Sequence, residues 1–233
     1  MKKEESYLKR FAIGLLAIVM YYILLSIQTL PFDLLKMDIA TIPLIIKILW
    51  LLVYELLILC VLIMIFNKII IQNFDDLKKN HKKYFKDSFK YYLIGLAVMI
   101  IGNLIIVILL NKGVNANEEA IRSIFKISPL YIYISGVIFA PITEELIFRQ
   151  SIKNIIPNKY IFIIVSGLCF GYAHLSGNIV SLSDLLYLIP YCGLGMSFAY
   201  MLVKTKNIYV PIGFHLMHNG ILIALQFVIL FFK

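Results

Sequence analysis

Seven stretches of the chain are apolar over something close to twenty residues: approximately 11–30, 42–66, 91–110, 129–154, 160–176, 184–203 and 208–231. Crossing a hydrocarbon core about 30 Å thick takes roughly 20 mostly apolar helical residues. The chain is 61% hydrophobic with mean hydropathy +0.91, against about 45–50% apolar for a soluble domain. The expected fold is an all-α, polytopic membrane helix bundle of about seven transmembrane helices. The alternative count is eight, with a re-entrant or interfacial segment near 32–42. A first part, 1–128, would hold helices one to three and a basic loop, and a second, 129–233, helices four to seven. Lys9 and Arg10 precede the first run in the manner of a secretory signal. That run is too long for a signal's apolar region and no small-residue cleavage site follows, so it reads as a retained span.

Net charge is +9. The basic residues are not laid out as a base-reading module, and no nucleic-acid partner is expected. Their distribution fits the positive-inside rule. With the N-terminus inside, one face collects Lys2, Lys3, Lys9, Arg10, the seven lysines of 67–90, Lys153, Lys159, Lys204 and Lys206. The other collects only Lys36, Lys112, Arg122, Lys126 and Lys233. The expectation is an integral, multi-pass protein of a bacterial cell membrane, N-terminus cytoplasmic. The bacterial source is a compositional reading of the Ile, Lys, Asn and Tyr content. The 67–90 segment reads as a solvated, partly helical loop on an anionic leaflet. Glu118 and Glu119, in the polar connection 111–128, read as a solvated helix start. Glu55 lies mid-span, eight residues after Lys47, and either pairs with it or lines a cavity. Asn103 reads as an interhelical hydrogen-bonding residue.

The polar residues of the second half carry the chemistry. Glu144, Glu145 and Arg149 stand in a strongly apolar run, and an ionisable group in hydrocarbon is a functional-site hypothesis by default. Glu145 and Arg149 are spaced i,i+4 with the acid first, the favourable order for a helical ion pair. Glu144 points about 100° away and has no intrahelical partner, which suits a general base. Pro157 and Asn158 form a turn. Glu144 precedes Asn158 by 14 residues and His174 follows it by 16, so antiparallel helices bring both to a similar depth of roughly 21–24 Å. His215 and Asn219, 8 and 12 residues beyond Asn207, reach roughly 12–18 Å. They share one helix face and present two donors suited to an oxyanion. Phe170, one turn from His174, can orient that ring. Gly167 and Gly171 form a small-residue face for close helix contact.

Glu144-Glu145-x-x-x-Arg149, Phe170-x-x-x-His174 and His215-x-x-x-Asn219 resemble, in order, the three motifs of the CPBP family. These are intramembrane proteases that include type II CAAX prenyl endopeptidases and bacterial Abi proteins linked to bacteriocin processing and self-immunity. The resemblance covers roughly residues 130–222, and 204–215 resembles the family's approach to its third motif. It implies that Glu144 and His174 activate a water for attack on a peptide carbonyl. His215 and Asn219 would stabilise the oxyanion, and Glu145 and Arg149 would support the site. Two features depart from the family. The chain runs 14 residues past Asn219, where members often have a further helix, and His218 adds an imidazole, read as core packing.

The favoured chemistry is glutamate-based hydrolysis with no metal cofactor. The alternative is a zinc enzyme of the same family using Glu144, His174 and His215, with His218 nearby. No H-E-x-x-H motif is present and no acid is visible beside the histidines. Cys169, five residues from His174, suggests a Cys–His protease only weakly, since buried Cys more often packs as a small hydrophobe. Cys60, Cys169 and Cys192 do not form a disulfide framework. Gly195-Met-Ser197 is only a fragment of a serine-nucleophile turn and reads as a packing face. A transporter would need repeats and broken helices that the chain lacks. The expected partners are the bilayer and a peptide or membrane-protein substrate, such as a bacteriocin leader or peptide pheromone. A non-catalytic immunity or scaffold protein is the reading from another class.

Overall fold

A computed structural model describes residues 6–110, 116–176, 179 and 181–232. Of the charges assigned to one or other membrane face, Lys2, Lys3, Lys112 and Lys233 lie outside the described residues. The helices are α1 (Tyr7–Ser26), α2 (Leu30–Leu34), α3 (Leu44–Leu110), α4 (Ala116–Ile127), α5 (Pro129–Ile155), α6 (Lys159–Leu175), α7 (Leu182–Thr205) and α8 (Tyr209–Phe231). Helix α7 begins with a 3₁₀ segment, Leu182–Tyr187. Five of them, α1, α3, α5, α7 and α8, are long and apolar enough to cross a membrane, while α6 is apolar but has 17 residues. The region around 32–42 holds only the five-residue α2 and a 3₁₀ turn, Ile39–Thr41.

The largest departure from the sequence reading is α3. The expected second and third spans and the hydrophilic segment between them form one helix of 67 residues. It is not straight. Glu55 accepts a hydrogen bond from Ser135, whose neighbour Gly136 accepts one from Asn219. Tyr92, 37 residues further along α3, meets His218, the neighbour of Asn219. A straight helix would hold Glu55 and Tyr92 about 55 Å apart, too far for that short chain of contacts, so α3 bends and gives the bundle two arms. Its hydrophilic middle is pinned rather than solvated throughout. Asn207, fully buried between α7 and α8, donates to Asn73 O at 2.7 Å and Asp76 Oδ2 at 2.9 Å. The Asn73 side chain in turn accepts from the Ile208 amide.

The first arm packs along α1: Tyr54 donates to Leu24 O at 2.7 Å and Trp50 to Gln28 O. Lys47 donates to Ala40 O, and Glu55 is held by Tyr131 and Ser135 of α5. Of the two readings of Glu55, neither the pair with Lys47 nor a place in a cavity wall is met: the two residues have separate partners. The second arm runs along α7, with Gly95 against Ser197 and Gly102 against Pro190.

Helix α5 carries two π-helical turns, Tyr133–Phe139 and Glu145–Ser151, on either side of Pro141. Pro141 has no N–H to donate, and its ring crowds the carbonyl four residues back. The turn before it widens accordingly, with the Ala140 amide donating to Ser135 O. The Pro157-Asn158 turn forms as expected, and the Asn158 side chain caps α6 by accepting from the Tyr160 and Ile161 amides.

Helices α6 and α7 approach closely where the sequence places Gly167 and Gly171. A Cβ on Gly167 would run into the Met196 side chain and come within 3.1 Å of Cys192 O and Met196 N. Backbone atoms there cannot step aside. Gly167→Val is expected to destabilise the bundle by about 1–3 kcal/mol. Thermal unfolding in one fixed detergent measures this, and an unchanged midpoint would contradict the close approach.

Candidate active site

The middle of α5 enters the core with its ionisable groups. Glu145 and Arg149 are both 0% exposed, as deeply buried as Leu62, Phe66, Leu146, Phe162 and Phe198. Arg149 Nε lies 3.1 Å from Glu145 Oε2, the expected i,i+4 pair. The guanidinium also lies over the Phe170 ring, 4.3 Å from its centroid, a cation–π contact that strengthens when desolvated. Phe170 thus touches more than the expected His174 ring, 4.4 Å away; it also meets His215 edge-on at 5.7 Å.

The other oxygen of Glu145 has a different partner. Glu145 Oε1 is 2.9 Å from His215 Nδ1. A carboxylate only accepts, so Nδ1 carries the proton and His215 Nε2 points away from Glu145. An acid does therefore stand beside a histidine, 70 residues away in the chain. No i,i+4 rule reports such a contact.

Glu144 Oε2 is 3.9 Å from His174 Nε2 and 3.7 Å from His215 Nε2. The convergence expected from the Pro157-Asn158 turn is met. Glu144 Oε2 is buried with no hydrogen-bond partner among the described residues. His174 donates from Nδ1 to Phe170 O at 2.9 Å, since a carbonyl can only accept. His174 Nε2 is thus a lone pair aimed at Glu144, and its ring is stacked against Tyr191 at 4.7 Å. Two acceptors facing each other at this separation are the setting for a water that donates a hydrogen to each.

Asn219 donates from Nδ2 to Gly136 O at 2.8 Å, so one amide hydrogen is occupied and one remains. His218 meets Tyr92 OH through Nδ1 at 3.3 Å, a polar contact rather than plain core packing. His174, His215, His218, Asn219 and Phe170 all border a cavity of about 640 Å³, within the 300–1,000 Å³ usual for ligand sites. Glu144 lies behind the two histidines rather than in that wall, near Tyr21 of α1. Asn103 also borders the cavity. Helix α4 starts with Glu118 and Glu119 as expected, but Asn117, Glu118 and Arg122 reach the cavity as well. Cys169 is exposed and is not part of its lining.

The donor types of Glu144, His174 and His215 suit zinc, and their spacing is wider than a bound ion would set. Tetrahedral bonds of about 2.0–2.1 Å put ligand atoms roughly 3.3–3.4 Å apart, while Glu144 stands at 3.7 and 3.9 Å from the two ring nitrogens. Among the described residues, no three His, Cys, Asp or Glu side chains gather in a metal-holding arrangement.

The fold is a helical bundle with several membrane-length helices, in which the half-buried Glu144 carboxylate stands between two imidazoles. Residues 126–221 match the family described as type II CAAX prenyl endopeptidase Rce1-like. The chain is 34% identical over 113 residues to YdiL of Bacillus subtilis, named a membrane peptidase, covering 47% of this chain and 43% of that one. It is 30% identical over 162 residues to the membrane-embedded CAAX protease MroQ of Staphylococcus aureus, covering 64% and 61%. An uncharacterised protein of Mycoplasma capricolum is 32% identical over 193 residues, covering 74% and 54%. The chain thus spans about half the length of the curated relatives it matches. No solved structure matches it significantly.

Proposed function

We propose that the protein is an intramembrane endopeptidase in which Glu144 and His174 activate a water against a peptide carbonyl. The observation that carries this reading is the unpartnered Glu144 Oε2 facing the lone pair of His174 Nε2 at 3.9 Å. A water between them passes one proton to this pair as its oxygen bonds the carbonyl carbon. The resulting oxyanion is met by the free Asn219 amide hydrogen and by His215. Glu145 already holds Nδ1–H of His215, so His215 donates to the oxyanion only in the form that also carries a proton at Nε2. Collapse breaks the C–N bond, and the leaving nitrogen takes the proton held by Glu144 and His174. The products are one carboxylate and one amine.

The apolar cavity wall and the position of the site favour a peptide or membrane-protein segment as substrate. A bacteriocin leader or peptide pheromone fits that description. The test is mass spectrometry of candidate peptides incubated in defined lipid with wild type and with Glu144→Ala. Fragments are expected with wild type only, and identical patterns from both would sink the reading. Activity is also expected to persist in excess chelator, with no stoichiometric metal in the purified protein. Loss of activity on chelation and recovery with zinc would favour the metal-dependent alternative, which the Glu145–His215 contact resembles, since metal-bound imidazoles commonly donate to a carboxylate.

A further inference from the structure

Glu55 is a carboxylate in the apolar first arm of α3, remote in sequence from every motif residue. Its Oε1 accepts from Ser135 Oγ at 2.7 Å and from Tyr131 OH at 3.1 Å. Its Oε2 is buried without a hydrogen-bond partner among the described residues. Ser135 lies inside the first π-helical turn of α5, Tyr133–Phe139, and Tyr131 stands one turn before it. Gly136 of the same turn offers its carbonyl to Asn219 Nδ2 at 2.8 Å. Tyr131, Ser135, Gly136 and Asn219 all border the cavity. A π-helical turn is a strained local choice that recurs at functional sites, and a carboxylate in hydrocarbon is expensive to keep.

We propose that Glu55 is a positioning residue: through Tyr131 and Ser135 it holds the turn whose Gly136 carbonyl orients the Asn219 amide toward the reacting carbonyl. Gly136 O occupies one amide hydrogen of Asn219 and so aims the other. If the turn relaxes to ordinary α-helix, that carbonyl shifts and the aim is lost. Asn219 itself remains in place, so substrate binding is largely retained while the transition state loses a donor. The proposal rests on the protease reading for the role of Asn219, but not for the order of the turn.

The experiment compares wild type, Glu55→Gln, Glu55→Leu, Asn219→Ala and Glu55→Leu/Asn219→Ala in one nanodisc composition, with Glu144→Gln as the inactive reference. Gln keeps a carbonyl acceptor for both hydroxyls, whereas Leu removes it. On a peptide that wild type cleaves, Glu55→Leu is expected to lower kcat about 10-fold with KM within about twofold, as misaimed groups do. Glu55→Gln should stay within about threefold of wild type, and Asn219→Ala should absorb most of the Leu effect, since coupled residues are non-additive. Equal losses in the Gln and Leu variants, or a double variant whose loss is the product of the two single losses, would overturn the proposal.

Hydrogen exchange of the backbone amides over 133–140 needs no substrate. It is expected to be about 10-fold faster in Glu55→Leu and at the wild-type rate in Glu55→Gln, as local opening follows local contacts. Equal exchange in all three proteins overturns the proposal whatever the peptides show. Equal cleavage by wild type and Glu144→Gln would instead remove the protease reading, leaving exchange to decide the role of Glu55.

Discussion

Glu144→Gln is expected to reduce peptide cleavage by about 10²–10⁴-fold, the range that a positioned general base contributes, while leaving the fold intact. The substitution is nearly isosteric and removes only the ability to accept a proton. Its amide can donate to the His174 Nε2 lone pair, which faces this position at 3.9 Å, so no packing is lost. The unfolding midpoint should therefore stay at the wild-type value or rise. His174→Ala should give a comparable loss of turnover. The two together should cost little more than either alone, because groups that act on one water act as a unit. Mass-spectrometric turnover and thermal unfolding, read on the same preparations, separate the two effects. Cleavage by Glu144→Gln at near the wild-type rate would end the glutamate mechanism.

Arg149→Met should have the opposite profile, with stability lost first. Both members of the Glu145–Arg149 pair are 0% exposed, and removing one partner leaves an uncompensated buried charge, costing about 3–5 kcal/mol. The loss includes the stacking of the guanidinium on Phe170 at 4.3 Å. Replacing both members, as Glu145→Leu/Arg149→Met, should restore much of the stability, because an apolar pair of similar volume is often neutral or better. It should not restore turnover. His215 then loses the acceptor at 2.9 Å that holds Nδ1–H and fixes the orientation of its ring at the oxyanion. Denaturation midpoints and turnover for the two single variants and the double variant test this. A stable but inactive Arg149→Met protein would instead assign the pair to chemistry alone.

The convergence of the motifs was readable because helices turn sequence spacing into depth. Fourteen residues before Asn158 and sixteen after it place Glu144 and His174 together once Asn158 caps α6, and the structure has them in contact range. The Glu145–Arg149 pair follows from the same local geometry. The contact of Glu145 with His215, the Gly136 carbonyl on Asn219 and the hydroxyls on Glu55 join different helices. Their existence depends on helix rotation, which no spacing within one helix reports. Segment 67–90 differs from the expected loop for a related reason. Its lysines mark a polar segment, but Asn73 and Asp76 reach Asn207, and α3 runs through it without a break.

The amino-acid order alone implies the all-α membrane bundle, because apolar runs of this length have to bury backbone polar groups in helices. It also determined which residues would be expensive in hydrocarbon and at what depth they lie. Which way each one faces follows from how the helices pack against one another. The packing divides Glu145 between Arg149 and His215, leaves Glu144 Oε2 to the two imidazoles, and bends α3 so that Glu55 and Tyr92 each hold a residue of the cavity wall, Ser135 and His218. The physical reason is that hydrophobicity is non-directional. It brings helices together, while their rotation is selected by close packing and by the few buried polar groups that need a partner.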